Sequence, residues 1–138
     1  MTSGPTKRHP TPFDVTLDRP QGPLPFVPRA APDGGVVWEY QVDPAHFNPF
    51  QTLHGGVVMA LMDSAMGHAV AACVHDAGRF NAAAQMNVNF MAAVKSGVLR
   101  ARANVVRLGK RLAVVEARAE SDDGTLVAIA TATHSLLP

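Results

Sequence analysis

One uninterrupted helix constrains the fold of this chain more than any other feature of its sequence. From His54 to about Val74 the residues are mostly good helix formers, and no proline interrupts them. Apolar positions surround almost the whole circumference of this helix: Val57, Val58, Met59, Leu61, Met62, Met66 and Val70. Because a helix that is apolar nearly all round is normally buried on most sides, we expect the rest of the chain to enclose it. A narrow polar stripe of Ser64, His68 and His75 is left to face solvent or a partner.

The segments on either side of the helix alternate between apolar and polar residues with a period of two. Val36 to Val42 predicts one strand before the helix. Four further strands are predicted after Gly78, around residues 85–90, 99–105, 115–120 and 126–135, and short joins between them suit antiparallel hairpins. This order predicts an α+β fold in which a strongly curved antiparallel sheet wraps around one long central helix.

The N-terminal segment differs from the rest in composition. Eight of the eleven prolines fall within the first 32 residues, and proline removes backbone donors and restricts its neighbours. We therefore predict an irregular, proline-rich arm over residues 1–35 and a single folded domain over residues 36–138. The arm either stays mobile or lies along the surface near Phe13 and Phe26.

Composition excludes several classes of partner. The formal net charge of +1 gives no broad attraction to nucleic acid or to an anionic membrane.

The single cysteine, Cys73, cannot form an internal disulfide, which is typical of a reducing compartment. We find no apolar leader and expect no segment able to span a bilayer, so the expected location is the cytoplasm. His68 and His75 lack a third ligand, and no metal or cofactor is expected.

Two glycines, Gly55 and Gly56, open the helix. The N–H groups of a first helical turn have no partner within the helix, and the helix dipole is positive there. Such groups can bind a carbonyl oxygen and stabilise the oxyanion formed when that carbonyl is attacked, while glycine lets a ligand approach the backbone closely. The alternative is that both glycines only permit tight packing or the turn into the helix.

Asp63 is a carboxylate on a helix that we expect to be mostly covered. Because burying an unpaired carboxylate is costly, its presence there indicates a functional site. At helical spacing its face carries Gly56, Ala60 and Gly67, whose small side chains leave room beside it. The alternative is that Asp63 lies at the edge of the polar stripe and meets only water.

The separation of these two features predicts an assembly. Eight residues of helix place Gly55 and Asp63 about 12 Å apart. A hydrogen-bond donor and an attacking base must both lie within about 3 Å of one reacting group, so one chain cannot supply both. In a two-fold dimer with neighbouring antiparallel helices, Gly55 of one chain would face Asp63 of the other.

The helix start also carries a motif of defined spacing: Asn48-Pro49-Phe50-Gln51-Thr52-Leu53-His54-Gly55-Gly56, followed by Asp63-Ser64-Ala65-Met66-Gly67. The Asn stands six residues before the His, and the Asp nine residues after it. This pattern resembles the signature of hotdog-fold acyl-CoA thioesterases, and it is most similar to the phenylacetate-pathway and 4-hydroxybenzoyl-CoA thioesterase branch. The resemblance runs from about Val36 to the C-terminus and leaves out the proline-rich arm.

The resemblance implies hydrolysis of an acyl-CoA to a free acid and CoA, with Asp63 as the catalytic carboxylate and Gly55 as the oxyanion donor. Asn48 and His54 would orient the water or the thioester. Their alternative roles are a turn former for Asn48 and a helix-start residue bonded to the loop for His54. The family also implies a homodimer with a shared active site, and a tetramer built as a dimer of dimers.

Further positions are assigned to substrate binding by the same resemblance. Arg107, Lys110 and Arg111 surround the Gly109 turn, as in basic hairpins that approach the phosphates of CoA; the alternative is a solvated hairpin. Gly56, Gly67 and Met59 would lie beside the acyl group, although Met59 alternatively belongs to the core.

A hydroxyl that many relatives carry early in the strand after the helix is missing from this sequence. Ala82, Ala83 and Ala84 occupy that region instead. Gln85 or Asn87 could replace the hydroxyl, or the alternation could point both of them outward.

Several mechanistic alternatives stay open at this level. Asp63 could act as a general base on water or as a nucleophile through a mixed anhydride, and a thiol with a pKa near 8.5 leaves without a strong general acid. The acyl group could be aromatic or a short or medium aliphatic chain. The rival functions are a hotdog-fold enoyl-CoA hydratase or dehydratase, and a non-catalytic acyl-CoA sensor, which would need no base.

Overall fold

The computed structural model describes residues 22–138 and consists of one six-stranded antiparallel sheet with a single long helix against one face. The elements are β1 (Val27–Ala30), β2 (Val36–Gln41), a 3-10 turn (Pro44–His46), α1 (Gly55–Val74), a 3-10 turn (His75–Ala77), β3 (Phe80–Phe90), β4 (Val98–Leu108), β5 (Leu112–Glu120) and β6 (Leu126–Leu137). The strand order is β1-β2-β4-β5-β6-β3. The predicted α+β hotdog architecture is confirmed.

The face of the sheet that meets the helix is lined by short side chains. β5 alternates exposed and buried residues along its whole length, and its buried positions are Ala113, Val115, Ala117 and Ala119. β6 adds Ala128, Ala130 and Ala132 in register beside them. Because these side chains are short, α1 lies close to the sheet, and the larger side chains of Leu61, Met62 and Met66 fill the space between.

The sheet covers only one side of α1. Eight of its twenty residues are buried: Val57, Val58, Leu61, Met62, Ala65, Met66, Val70 and Val74. The opposite side is open and carries Met59, which is 36% exposed, together with Asp63. Our expectation of a helix enclosed on most sides is therefore wrong for the single chain. Within the predicted polar stripe, His68 and His75 are exposed, whereas Ser64 is half-buried.

A short strand lies within the segment that we predicted to be irregular. β1 pairs antiparallel with β2 at the edge of the sheet, with Pro28 opposite Trp38. An outermost strand tolerates proline because its free edge donates no ladder hydrogen bond. The turn after β1 is held by Asp33, which accepts hydrogen bonds of 2.9 and 3.0 Å from Arg102. Phe26 packs edge-to-face on Tyr40, while Phe13 lies outside the described residues.

The long helix corrects one further expectation. Gly55–Ala77 is long and apolar enough to cross a membrane by length and composition, contrary to our reading that no such segment exists. In this fold the segment packs its apolar side against the sheet. Core helices meet the same two criteria, so these criteria alone do not make it a membrane span.

β3 leaves one long edge of the sheet open. This eleven-residue strand pairs with β6, and between residues 22 and 138 no strand pairs with its other side. Most of its residues are exposed, including Phe80 at 70% and Phe90 at 50%. A long unprotected edge is a template for pairing with another chain. β3 runs antiparallel to α1, so its end lies at the helix start, where Phe90 contacts Gly55.

Candidate active site

The loop before α1 is held by the side chain of Asn48. Its Oδ1 accepts hydrogen bonds from the N–H groups of Phe50 (2.9 Å) and Thr52 (3.2 Å), and its Nδ2 donates to Thr52 Oγ1 at 2.8 Å. Asn48 therefore acts as a turn former in the single chain. The second Nδ2 hydrogen is the part of this side chain that a substrate could use.

His54 caps the helix. Its Nδ1 accepts a hydrogen bond from the Gly56 N–H at 2.8 Å, so the proton of the neutral ring is on Nε2. A Cβ at position 56 would lie 2.9 Å from that Nδ1, so any other residue there would force the His54 ring to shift from its capping position. The N–H of Gly55 has no acceptor among residues 22–138. Of the two glycines, Gly55 thus offers the donor for an oxyanion.

A cavity of about 410 Å³ opens beside this donor. It is lined by Asn48, Thr52, Leu53, Gly55, Val58, Phe90, Met91, Ala92, Ala93 and Val94. The Phe90 ring lies 3.4 Å from where a Cβ on Gly55 would be, so a side chain there would contact the wall of the cavity. A mostly apolar cavity that Gly55 helps to line can hold an acyl group with its carbonyl at the Gly55 N–H.

Asp63 lies one and a half turns beyond the lining of this cavity, on the open side of α1. Its side chain is exposed, and over the described part of the chain its carboxylate has no hydrogen bond or ion pair. The residues that share its face, Met59 and Gly67, are not cavity-lining either. The structure therefore keeps Gly55 and Asp63 apart in one chain, as the helical separation predicts.

Sequence reasoning missed a polar pair one turn beyond Asp63, formed by the half-buried Asn81 and the buried His134. Asn81 Nδ2 donates to the Gly67 carbonyl at 3.2 Å, and Asn81 Oδ1 lies 2.8 Å from His134 Nδ1. Since a carbonyl only accepts, Oδ1 must face the imidazole, and Nδ1 carries the proton. His134 is 1% exposed, and burial lowers its pKa, while the charge of Asp63 opposes that shift. The inward-facing alternation of β6 was the signal that could have revealed it.

His134 is expected to make stability fall in acid. Because burial lowers its pKa below the ordinary 6.5, the unfolded chain takes up this proton at higher pH than the folded chain. The His134 contribution is thus complete above about pH 6.5 and is lost as the pH falls below it. His134→Gln, which can still donate to Asn81, should show a shallower loss of unfolding free energy between about pH 7.5 and pH 5.5. Urea titrations measure this, and equal slopes would contradict it; the other histidines are common to both proteins.

The basic hairpin lies at the opposite end of α1 from Gly55. Arg107, Lys110 and Arg111 are all exposed there. Arg79, which sequence reasoning missed, holds the turn by donating to the carbonyls of Lys110 (2.7 Å) and Leu136 (3.0 Å). One chain therefore does not bring these three cations to its own Gly55.

The amides proposed to replace a missing hydroxyl do not face the helix. Gln85 pairs with Thr133 and Asn87 with Thr131, whereas the alternate residues Ala130 and Ala132 are buried under the helix. Both amides therefore point to the outer face of the sheet, and that role is excluded for them in this chain.

The fold defines a class of protein. A single helix against a curved antiparallel sheet is the fold of the hotdog thioesterase structures to which this chain is similar. Residues 50–128 match the Thioesterase superfamily, and the chain belongs to that family.

Individual relatives agree with this assignment. The protein PA1618 of Pseudomonas aeruginosa, named as an esterase, is 29% identical over 110 residues, which cover 80% of this chain and 76% of that one. The structure of BH2602 from Bacillus halodurans with CoA has a TM-score of 0.77 and 29% identity, covering 81% of this chain and 74% of that chain. A phenylacetic acid degradation-related protein of Ralstonia eutropha has a TM-score of 0.71 and 30% identity, covering 83% and 92%. The chain is a thioester hydrolase.

Proposed function

We propose that this protein hydrolyses an aryl-CoA or a short- to medium-chain acyl-CoA to the free acid and CoA, in an active site shared across a homodimer. The observation that carries the proposal is the Gly55 N–H, which has no acceptor among residues 22–138 and belongs to a residue lining a mostly apolar cavity, with Asp63 exposed on the open side of the same helix. The Gly55 N–H supplies a hydrogen-bond donor without a nearby base, and Asp63 supplies a base without a nearby donor. Each is one half of a hydrolytic site.

The open surfaces of the chain support a two-fold partner. If Gly55 of one helix faces Asp63 of an antiparallel neighbour, the axis passes the residue midway between them, which is Met59. Met59 is a large apolar side chain that is 36% exposed in the single chain. The unpaired edge of β3 would extend the sheet into the partner. We infer a dimer on these grounds, and a dimer of dimers follows from the resemblance alone.

The chemistry then divides between the two chains. The thioester carbonyl would accept a hydrogen bond from Gly55 of one chain, whose N–H stabilises the oxyanion. Asp63 of the other chain would deprotonate a water that attacks the carbonyl carbon, or would attack it directly. The C–S bond breaks when the tetrahedral intermediate collapses, and sulfur leaves as a thiolate, which needs no strong acid.

The basic hairpin is the proposed binding site for the CoA phosphates. Antiparallel helices would bring the hairpin of one chain toward the Gly55 end of its partner. The BH2602 structure, which contains CoA, is a relative that supports a CoA-type substrate. Arg79 holds this turn by donating a hydrogen bond to the backbone carbonyl of Lys110. The side chains of Arg107, Lys110 and Arg111 can therefore be replaced without altering the turn.

Replacing Lys110 and Arg111 together by glutamine is expected to raise KM for an acyl-CoA about tenfold through the loss of charge-assisted phosphate contacts. KM for the matching acyl-pantetheine, which lacks the nucleotide phosphates, should not change. Steady-state kinetics on both thioesters measure this difference. Equal increases for the two substrates would show that the hairpin does not bind the phosphates.

The proposed function is tested by free-thiol release from a panel of aryl-CoA and aliphatic acyl-CoA thioesters. Turnover with a clear preference would identify the acyl class. Hydration of an enoyl-CoA without thiol release would favour the hydratase, and saturable acyl-CoA binding without turnover would favour the sensor. Either of these results would overturn the proposal.

A further inference from the structure

A buried polar pair that the hydrolytic mechanism does not use lies beneath the loop before α1. Tyr40 on β2 is 0% exposed and His46 is 2% exposed, and the Tyr40 hydroxyl lies 2.7 Å from His46 Nδ1. Burying a phenol and an imidazole costs free energy unless they are hydrogen-bonded, so the presence of this pair in the core indicates a specific role. Apolar residues could fill the same space.

The Tyr40 hydroxyl takes part in two hydrogen bonds. The Asp43 N–H donates to its oxygen at 3.1 Å. Burial raises the pKa of Tyr40, so the hydroxyl stays protonated, and it shares the second hydrogen bond with His46 Nδ1. The phenol therefore links the Asp43 backbone to the imidazole of His46.

The backbone of His46 is hydrogen-bonded to the start of α1. Its N–H donates to the Asp43 carbonyl at 2.9 Å, and its carbonyl accepts a hydrogen bond from the His54 N–H at 2.9 Å. The ring of His54 in turn caps Gly56, next to the free N–H of Gly55. Asn48 follows His46 by two residues. Hydrogen bonds of His46 and His54 thus connect the Tyr40 hydroxyl with the Gly56 N–H, and Gly55, the proposed oxyanion donor, is the residue before it.

We propose that Tyr40 and His46 are positioning residues that set the location of the Gly55 N–H and of Asn48 relative to the acyl cavity. They touch no reacting atom, and the inference rests on the proposed function. A displacement of about 1 Å at a catalytic group can cost up to a hundredfold in rate, so loss of this support should act on kcat rather than on KM.

Tyr40→Phe tests the proposal most cleanly. The ring keeps its edge-to-face contact with Phe26, and only the hydroxyl is lost, leaving the Asp43 N–H and His46 Nδ1 without their partner. We expect kcat to fall about tenfold with KM changed less than about twofold. Amide hydrogen exchange over residues 43–57 should accelerate, and this readout does not depend on turnover.

Two comparisons distinguish positioning from loss of stability. Val115→Ala removes methyl groups from a 0% exposed site on β5 and should lower stability with unchanged kcat and unchanged exchange in the loop. His46→Gln keeps a hydrogen-bonding partner for the phenol and should retain more activity than His46→Leu. The proposal is overturned if Tyr40→Phe behaves like Val115→Ala, or if glutamine and leucine at position 46 are equivalent. Failure of wild-type turnover would instead overturn the proposed function, while the exchange result would stand.

Discussion

Asp63→Asn is expected to lower kcat for thioester hydrolysis at least about a hundredfold. The amide has the shape of the carboxylate, but it can neither take a proton from water nor attack a carbonyl. Asp63 makes no hydrogen bond or ion pair with residues 22–138, so its replacement breaks no contact within the chain. The free energy of unfolding should change by less than about 0.5 kcal/mol. Kinetics of thiol release, together with urea titration, measure both quantities.

Asp76→Asn is the matched control for this change. It removes the same charge from another exposed carboxylate, in the 3-10 turn after the helix, which does not line the cavity beside Gly55. Its kcat should equal that of the wild type. If Asp63→Asn hydrolyses the preferred thioester as fast as Asp76→Asn does, Asp63 is neither base nor nucleophile, although thioesterase activity would survive.

Gly55→Pro should lower kcat by about a hundredfold to a thousandfold, which is the usual effect of removing one oxyanion donor. Proline lacks the N–H and is well tolerated at the first helical position, which residue 55 occupies. His54 already has extended backbone angles, φ −60° and ψ 130°, as the residue before a proline requires. The helix and its cap should therefore persist.

Gly55→Ala distinguishes the effect of the N–H donor from the effect of the space beside Gly55. Alanine keeps the N–H and adds a Cβ that meets the Phe90 ring at 3.4 Å, an ordinary to slightly tight contact. Its kcat should exceed that of Gly55→Pro by at least about tenfold. Circular dichroism establishes whether both variants keep the helix. Equal losses in the two variants would mean that space, and not the N–H, matters at this position.

Most of the fold was predictable because its elements have strong local signals. A proline-free apolar run predicted α1 to within one residue of its observed start, and alternation predicted β4, β5 and β6. β1 was not predictable because the prolines that disfavour regular structure are tolerated on an edge strand. The open side of α1 was missed because apolar residues on a helix do not reveal whether a sheet or another chain covers them.

The candidate site was predictable in its residue types but not in its geometry. The motif indicated Gly55, Gly56 and Asp63 together. Only the structure shows that the Gly56 N–H is hydrogen-bonded to His54, so that the Gly55 N–H is the one available to a substrate. Asn81 and His134 are 53 residues apart, and Arg79 acts on the carbonyl of a residue 31 positions away. Such pairings depend on strand register, which a single sequence does not specify.

The shared site is tested most directly by mixing the two inactive variants. Co-expression of Asp63→Asn and Gly55→Pro chains with different affinity tags allows the mixed dimer to be purified. A shared site predicts that this dimer holds one intact site of two, and hence about half the wild-type activity per dimer. If both groups instead came from one chain, every site would contain one defect. A mixed dimer no more active than either variant alone would contradict the account.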